Sequence, residues 1–113
     1  MKHNLEKYLE DIRLSISDIE AYVKNTNSAI ELEANPILFD ALCRRFAIIG
    51  EALHQANKLD RTIPISEKGR ITGLRHIIVH DYDKVRAPDL WAIITTKLTL
   101  LKTEVEDLLD KTN

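Results

Sequence analysis

Arg75, His80 and Tyr82 stand in one short stretch, Gly73-Leu74-Arg75-His76-Ile77-Ile78-Val79-His80-Asp81-Tyr82, in the spacing R-x-x-x-x-H-x-Y. Each can act at a phosphate. Arginine is a permanent cation whose forked donors match phosphate oxygens. Histidine gives and takes a proton near neutral pH. Tyrosine has a hydroxyl that can bond a phosphate or be modified itself. In a continuous helix, positions five apart point about 140° away from each other. Arg75 and His80 therefore converge only if the helix stops at His80 and the arginine reaches round, or if a second subunit contributes. Cleaving a phosphodiester by internal attack needs a base and an acid. Each chain has one histidine in this motif, so a symmetric dimer would supply both.

Other readings of the stretch stand beside this one. Arg75 could pair with a carboxylate, His80 could sit at a helix C-terminus, and Tyr82 could pack on the end of a bundle. A metal site is a third reading. His76 and His80 are four apart, which suits two ligands on one helix face. The intervening residues lack the glutamate of a metalloprotease helix, and only Asp81 or Asp83 could add a ligand nearby. No functional metal is expected.

A chain of 113 residues reads as a single domain spanning 1–113. It can build a core, but it is small enough that a dimer interface would help it. A net charge of −2 excludes a strongly basic nucleic-acid coat, so any nucleic-acid surface must be a local patch. Arg44, Arg45, Arg70, Lys84 and Arg86 could form such a rim, or could be solvated surface charges. Cys43 is the single cysteine, so no disulfide forms within the chain and a reducing, cytoplasmic setting is expected. The charged, amphipathic N-terminal residues predict neither a signal-peptide core nor a membrane span.

Three glycines and three prolines in the whole chain predict long helices with few turns. Helix one should run from an Asn4 cap to Lys24. Its seam is Leu5, Leu9, Ile12, Ile16, Ile19 and Val23, widened by Tyr8 and Tyr22. Ser28 and Glu31 have capping-box spacing for a short turn. Asn35-Pro36 should start helix two, with Leu38, Leu42, Phe46, Ile49, Leu53 and Ala56 inward and an end near Asn57. Ser66 can cap helix three, with Ile71, Leu74, Ile77 and Ile78 inward. Gly69 and Gly73, four apart, either admit a neighbouring backbone or mark a loose first turn. The helix should run out at His80, because Asp81-Tyr82-Asp83 favours a turn. Ala87-Pro88-Asp89 should start a single helix four, with Leu90, Ile94, Leu98, Leu101, Val105 and Leu108 inward. The fold class is all-α, an antiparallel bundle of four main helices. Glu51, between small residues in helix two, orients Arg75 or satisfies a buried donor, or else is a surface carboxylate. Cys43 reads as a buried or interface hydrophobe. Trp91 and Phe46 read as core or interface aromatics, and His3 and His54 as lacking chemical company.

An arginine followed by a polar residue and, a few residues on, a histidine near the end of a helix in a small bundle resembles the HEPN domain. The full Arg75-(four)-His80-x-Tyr82 form resembles the HepT-like toxins of bacterial and archaeal toxin–antitoxin pairs. Arg45 to Ala52, with Ile48-Ile49-Gly50-Glu51-Ala52, resembles the second-helix signature of that family, and Leu90-Trp91 its helix-four opening. Members often carry a Trp ahead of helix three, where this chain has Ile65-Ser66.

The resemblance implies a homodimeric RNase that needs no metal, the toxin of a type VII-like pair. Arg75 would hold the scissile phosphate of a tRNA or mRNA, and His80 would be general base or acid while the ribose 2′-hydroxyl attacks. His76, Asp81 and Glu51 would support the motif. DNA lacks the nucleophile and should not be cut. The RNase itself would need no cofactor. The implied antitoxin is a minimal nucleotidyltransferase that uses ATP and Mg to place AMP on Tyr82, setting charge and bulk where an RNA phosphate must enter. The alternative is a non-catalytic HEPN subunit that presents nucleotide or substrate to such a partner.

Overall fold

The four-three spacing from Leu5 to Val23 becomes α1 (Lys2–Tyr22), whose Leu9, Ile12, Ile16 and Ile19 are fully buried. The structure is a computed structural model and describes residues 2–112, with side chains over 4–111. Asn4 lies inside α1 and not at its cap, because the helix begins at Lys2, and Tyr22 faces solvent instead of widening the seam. The side chain of His3 lies outside the described residues.

The short helix α2 (Ala29–Glu33) is capped by Ser28, whose hydroxyl accepts the Glu31 N–H at 3.1 Å. The Glu31 carboxylate reaches back to the N–H of Asn27, one residue earlier than in a strict capping box. Helix α3 (Pro36–Leu59) starts as its Asn-Pro signal dictates: Asn35 Oδ1 accepts the Leu38 N–H at 3.1 Å. Asn35→Ala is expected to lower stability by about 1 kcal/mol, read from a denaturant midpoint that shifts with an unchanged slope.

Helix α4 (Lys68–His80) is not capped by Ser66. That hydroxyl and the Ser66 N–H both donate to the Glu104 carboxylate, at 2.6 and 3.1 Å, so the serine ties the preceding connection to another helix. Ile71 and Leu74 are buried and Ile78 is partly covered, but Ile77 is exposed. The expected fourth helix is two, α5 (Ala87–Thr96) and α6 (Leu98–Thr112), broken at Lys97. The break follows the run Ile93-Ile94-Thr95-Thr96. Both threonine hydroxyls bond back to carbonyls one turn earlier, Thr95 to Trp91 at 2.9 Å and Thr96 to Ala92 at 2.5 Å, an arrangement that bends helices.

The described residues are thus all-helical, with a 3₁₀ turn over Tyr82–Lys84 as the remaining regular element. Helix α3 lies between α1 and α4, α6 packs on α1, and α5 packs on α2 and α6. Phe46, Ile49 and Leu53 of α3 meet the α1 seam and Leu90, Leu101 and Val105 in one core. The molecule is only 19 Å across its thinnest axis, about two helix diameters. A sheet of helices this thin leaves α3 and α4 each with an uncovered face, and the motif sits there. Among the described residues no helix is long and apolar enough to cross a membrane.

Candidate active site

Helix α4 ends at His80. Asp81 leaves helical geometry (φ −152°, ψ 52°) while its N–H still donates to Ile77 O at 2.8 Å. Lys84 N–H to Asp81 O and Val85 N–H to Tyr82 O then close the 3₁₀ turn, which carries Tyr82 back towards the start of α3. The termination expected at Asp81-Tyr82-Asp83 therefore aims the tyrosine. Asp81 itself pairs with Lys84 at 3.0 Å on the surface.

Arg75 points to α3. Its guanidinium meets Glu51 Oε2 at 2.9 Å, and Glu51 Oε1 accepts from Gln55 at 2.9 Å. Glu51 thus pairs with Arg75, while its side chain stays 43% exposed. The approach depends on Gly50. A Cβ there would overlap Arg75 Cβ, lie 2.9 Å from its Cγ and 3.1 Å from Ile71 O. By contrast, a Cβ on Gly69 or Gly73 would meet nothing within 4 Å. Within the chain, the close approach that is one of the two readings of those glycines occurs instead at Gly50, a glycine inside the apolar stretch of α3 and beside the acidic residue that pairs with the motif. That position was the available signal.

Arg75 lines an open groove of about 550 Å³ over α3, with Lys7, Tyr8, Arg44, Glu51 and Val79 among its walls. Arg44 and Val79 also line the neighbouring hollow that reaches Tyr82. Among the five basic residues proposed for a rim, Arg44 thus lies with Arg75, and Arg86 lines a separate pocket beside Tyr82. Arg45 turns to α1 and pairs with Asp18 at 3.1 Å, Lys84 is held by Asp81, and Arg70 is exposed and lines neither groove.

His80 is exposed at the end of α4, its ring 4.6 Å from that of His76 and tilted by 51°. No hydrogen bond or ion pair joins it to Arg75; the two side chains leave α4 on different sides, as their spacing requires. Among the described residues no group of three or more His, Cys, Asp or Glu is placed to hold a metal.

Tyr82 is the best-anchored member of the trio. Its hydroxyl donates a short hydrogen bond to Asp40 Oδ1, and its ring meets Phe39 edge-on at 6.2 Å. The Asp40 carboxylate, aided by desolvation, raises the phenol well above its ordinary range. Cys43, buried behind it, has its thiol pushed up by burial to about 11. Sequence reasoning missed Phe39 and Asp40, which lie on α3 more than forty positions from Tyr82 and carry no local signal of that partnership.

These features can be set beside known proteins. A family model described as "Ribonuclease HepT-like" matches residues 12–108, most of the chain and all of the site. The chain belongs to the HepT-like ribonuclease family. A HepT-like chain of this kind also resembles a Methanocaldococcus jannaschii protein named "Putative RNase MJ1380". The two are 30% identical over 109 residues, covering 93% of this chain and 96% of the other. No solved structure matches the chain significantly. HepT-like membership agrees with the bundle and supports a ribonuclease activity.

Proposed function

We propose that this HepT-like chain is the toxin of a toxin–antitoxin pair: a homodimeric, metal-independent endoribonuclease that uses Arg75 and His80. A partner nucleotidyltransferase silences it by placing AMP on Tyr82. The observation that carries the reading is the setting of Arg75. It is held by Glu51 in an open groove, while His80 is exposed in the last turn of the same helix and Tyr82 just beyond it. The Arg75–Glu51 pair has side chains 31% and 43% exposed. A pair that accessible is worth about 1 kcal/mol or less, so an arriving phosphate can take the guanidinium cheaply. Glu51 keeps the fork in place until then.

In this mechanism the ribose 2′-oxygen attacks the adjacent phosphorus. A base takes the 2′-proton, an acid gives one to the departing 5′-oxygen, and the products are a 2′,3′-cyclic phosphate and a 5′-hydroxyl. Arg75 neutralises charge on the non-bridging oxygens. One chain offers one motif imidazole, that of His80, for two proton transfers. A symmetric pair of chains offers two. The dimer is supported by the open face of α4, where Gly73 and the exposed Ile77 lie on the side of His80, and by the uncovered face of α3.

The test is RNA cleavage in EDTA by protein whose intact mass shows Tyr82 unmodified. The expected result is cleavage of tRNA or mRNA to cyclic-phosphate ends, with DNA untouched. Absence of cleavage from an unmodified dimer across tRNA, mRNA and rRNA overturns the nuclease reading in favour of a non-catalytic subunit that presents nucleotide or substrate to the partner.

A further inference from the structure

We propose that Asp40 is the proton acceptor for nucleotidyl transfer onto Tyr82, so that the toxin itself supplies the base for its own silencing. This rests on the reading above that Tyr82 is the modified residue. The structural basis is one contact and its surroundings. The Tyr82 hydroxyl donates directly to Asp40 Oδ1. Both residues open onto a pocket of about 530 Å³, also lined by Phe39, Val85, Arg86 and Pro88. Phe39 meets the phenol ring edge-on. The phenol oxygen is presented at an accessible wall with its proton already aimed at a carboxylate. Glu33 and Asp83 line the same pocket, but neither bonds the phenol.

A phenol held protonated at neutral pH is a poor nucleophile, and its attack must be accompanied by proton loss. The step balances as follows. Tyr82 Oη forms a bond to the α-phosphorus of ATP, the bond from that phosphorus to the bridging oxygen breaks, pyrophosphate leaves, and the phenol proton passes to Asp40. Arg86, which lines the same pocket, can offer its cation to the phosphate being transferred. After transfer Oη has no proton to donate. The bond that ties the 3₁₀ turn to α3 is then lost, and an anionic phosphodiester faces the Asp40 carboxyl.

Asparagine can still accept the phenol hydrogen bond but cannot take the proton, so Asp40→Asn separates proton acceptance from positioning. The experiment incubates the full chain with Mg-ATP and a minimal nucleotidyltransferase of the proposed antitoxin class, and follows intact mass. The variants are Asp40→Asn, Asp40→Glu and Tyr82→Phe. The expected result is modification of the wild type and none of Tyr82→Phe. Asp40→Asn should be slower by about 100-fold or more in kcat, with KM for ATP unchanged, and Asp40→Glu should recover part of the rate. Thermal melts establish that the variants are folded, which the exposed position of Asp40 favours. An Asp40→Asn protein modified at the wild-type rate overturns the proposal while leaving modification of Tyr82 standing. A wild-type chain that gains no adenylyl group, or a Tyr82→Phe chain that gains one, overturns the reading beneath it.

Discussion

His80→Ala is expected to lower RNA cleavage by about 10²–10⁴-fold, the usual contribution of a positioned general acid or base, with almost no change in stability. The second half of that expectation follows from position. His80 is exposed in the last turn of α4, with its ring 4.6 Å from that of His76. Surface substitutions of this kind usually fall within about 0.5 kcal/mol. Loss of cleavage with an unchanged melt therefore assigns His80 to the chemistry. A folded His80→Ala protein that still cleaves RNA and still kills cells would remove it from the mechanism. Arg75→Ala should reduce cleavage by a similar factor, about 10²–10³-fold, as expected when one donor to a developing oxyanion is lost. It differs from His80→Ala in stability, because the arginine stem packs against Gly50 and its removal leaves a gap between α3 and α4. Arg75→Lys keeps the charge and most of the stem but loses the fork. It should melt like the wild type and cleave poorly.

The parts of this site that could be read from sequence are those built by local rules. The seam of α1 repeats every three or four residues. Ser28 and Asn35 are caps with short-range targets, and the end of α4 at His80 follows from turn-forming neighbours. Where a residue had two possible partners, local reasoning could not choose. Ser66 had the right spacing to cap α4, but the helix takes Glu67 at its cap position and the Ser66 hydroxyl and N–H both donate to a carboxylate on α6, 38 positions away. The break at Lys97 was hidden for another reason: Leu90, Ile94, Leu98 and Leu101 keep helical phase across it, so the apolar pattern looks continuous while the threonine back-bonds bend the chain. Ile77 continues the apolar run of α4, so the sequence alone points it inward. In a bundle two helices thick, one side of that helix has nothing to meet. Asp40 is the largest omission. It is an exposed acid at the start of α3 until the 3₁₀ turn brings Tyr82 to it.

Gly50→Ala should be destabilising even though alanine favours helix over glycine by about 1 kcal/mol. The added methyl would meet Arg75 Cβ and the Ile71 carbonyl. These are atoms fixed to the α4 backbone, so the two helices must move apart instead of a side-chain tip swinging away. Overpacking of this type costs about 1–3 kcal/mol. With the overlap at a Cβ, the upper part of that range applies, for a net loss of about 1–2 kcal/mol and a melt lowered by several degrees. The displacement also moves Arg75 relative to Glu51, and a shift of about 1 Å in a positioned group can cost on the order of 100-fold in rate, so cleavage should fall well beyond what the fraction unfolded explains. Gly69→Ala is the matched control. Its new Cβ meets nothing within the chain, so the propensity gain stands alone and the melt should rise. Gly73→Ala separates the single chain from the proposed pair. It should raise the stability of an isolated chain for the same reason, but weaken a dimer in which a second copy approaches the open face of α4. A melt that falls only for Gly73→Ala, and falls further on dilution, places that face in the interface. Equal stabilisation by Gly69→Ala and Gly73→Ala at every concentration places the interface elsewhere, and the uncovered face of α3 then becomes the surface through which the two motifs must meet.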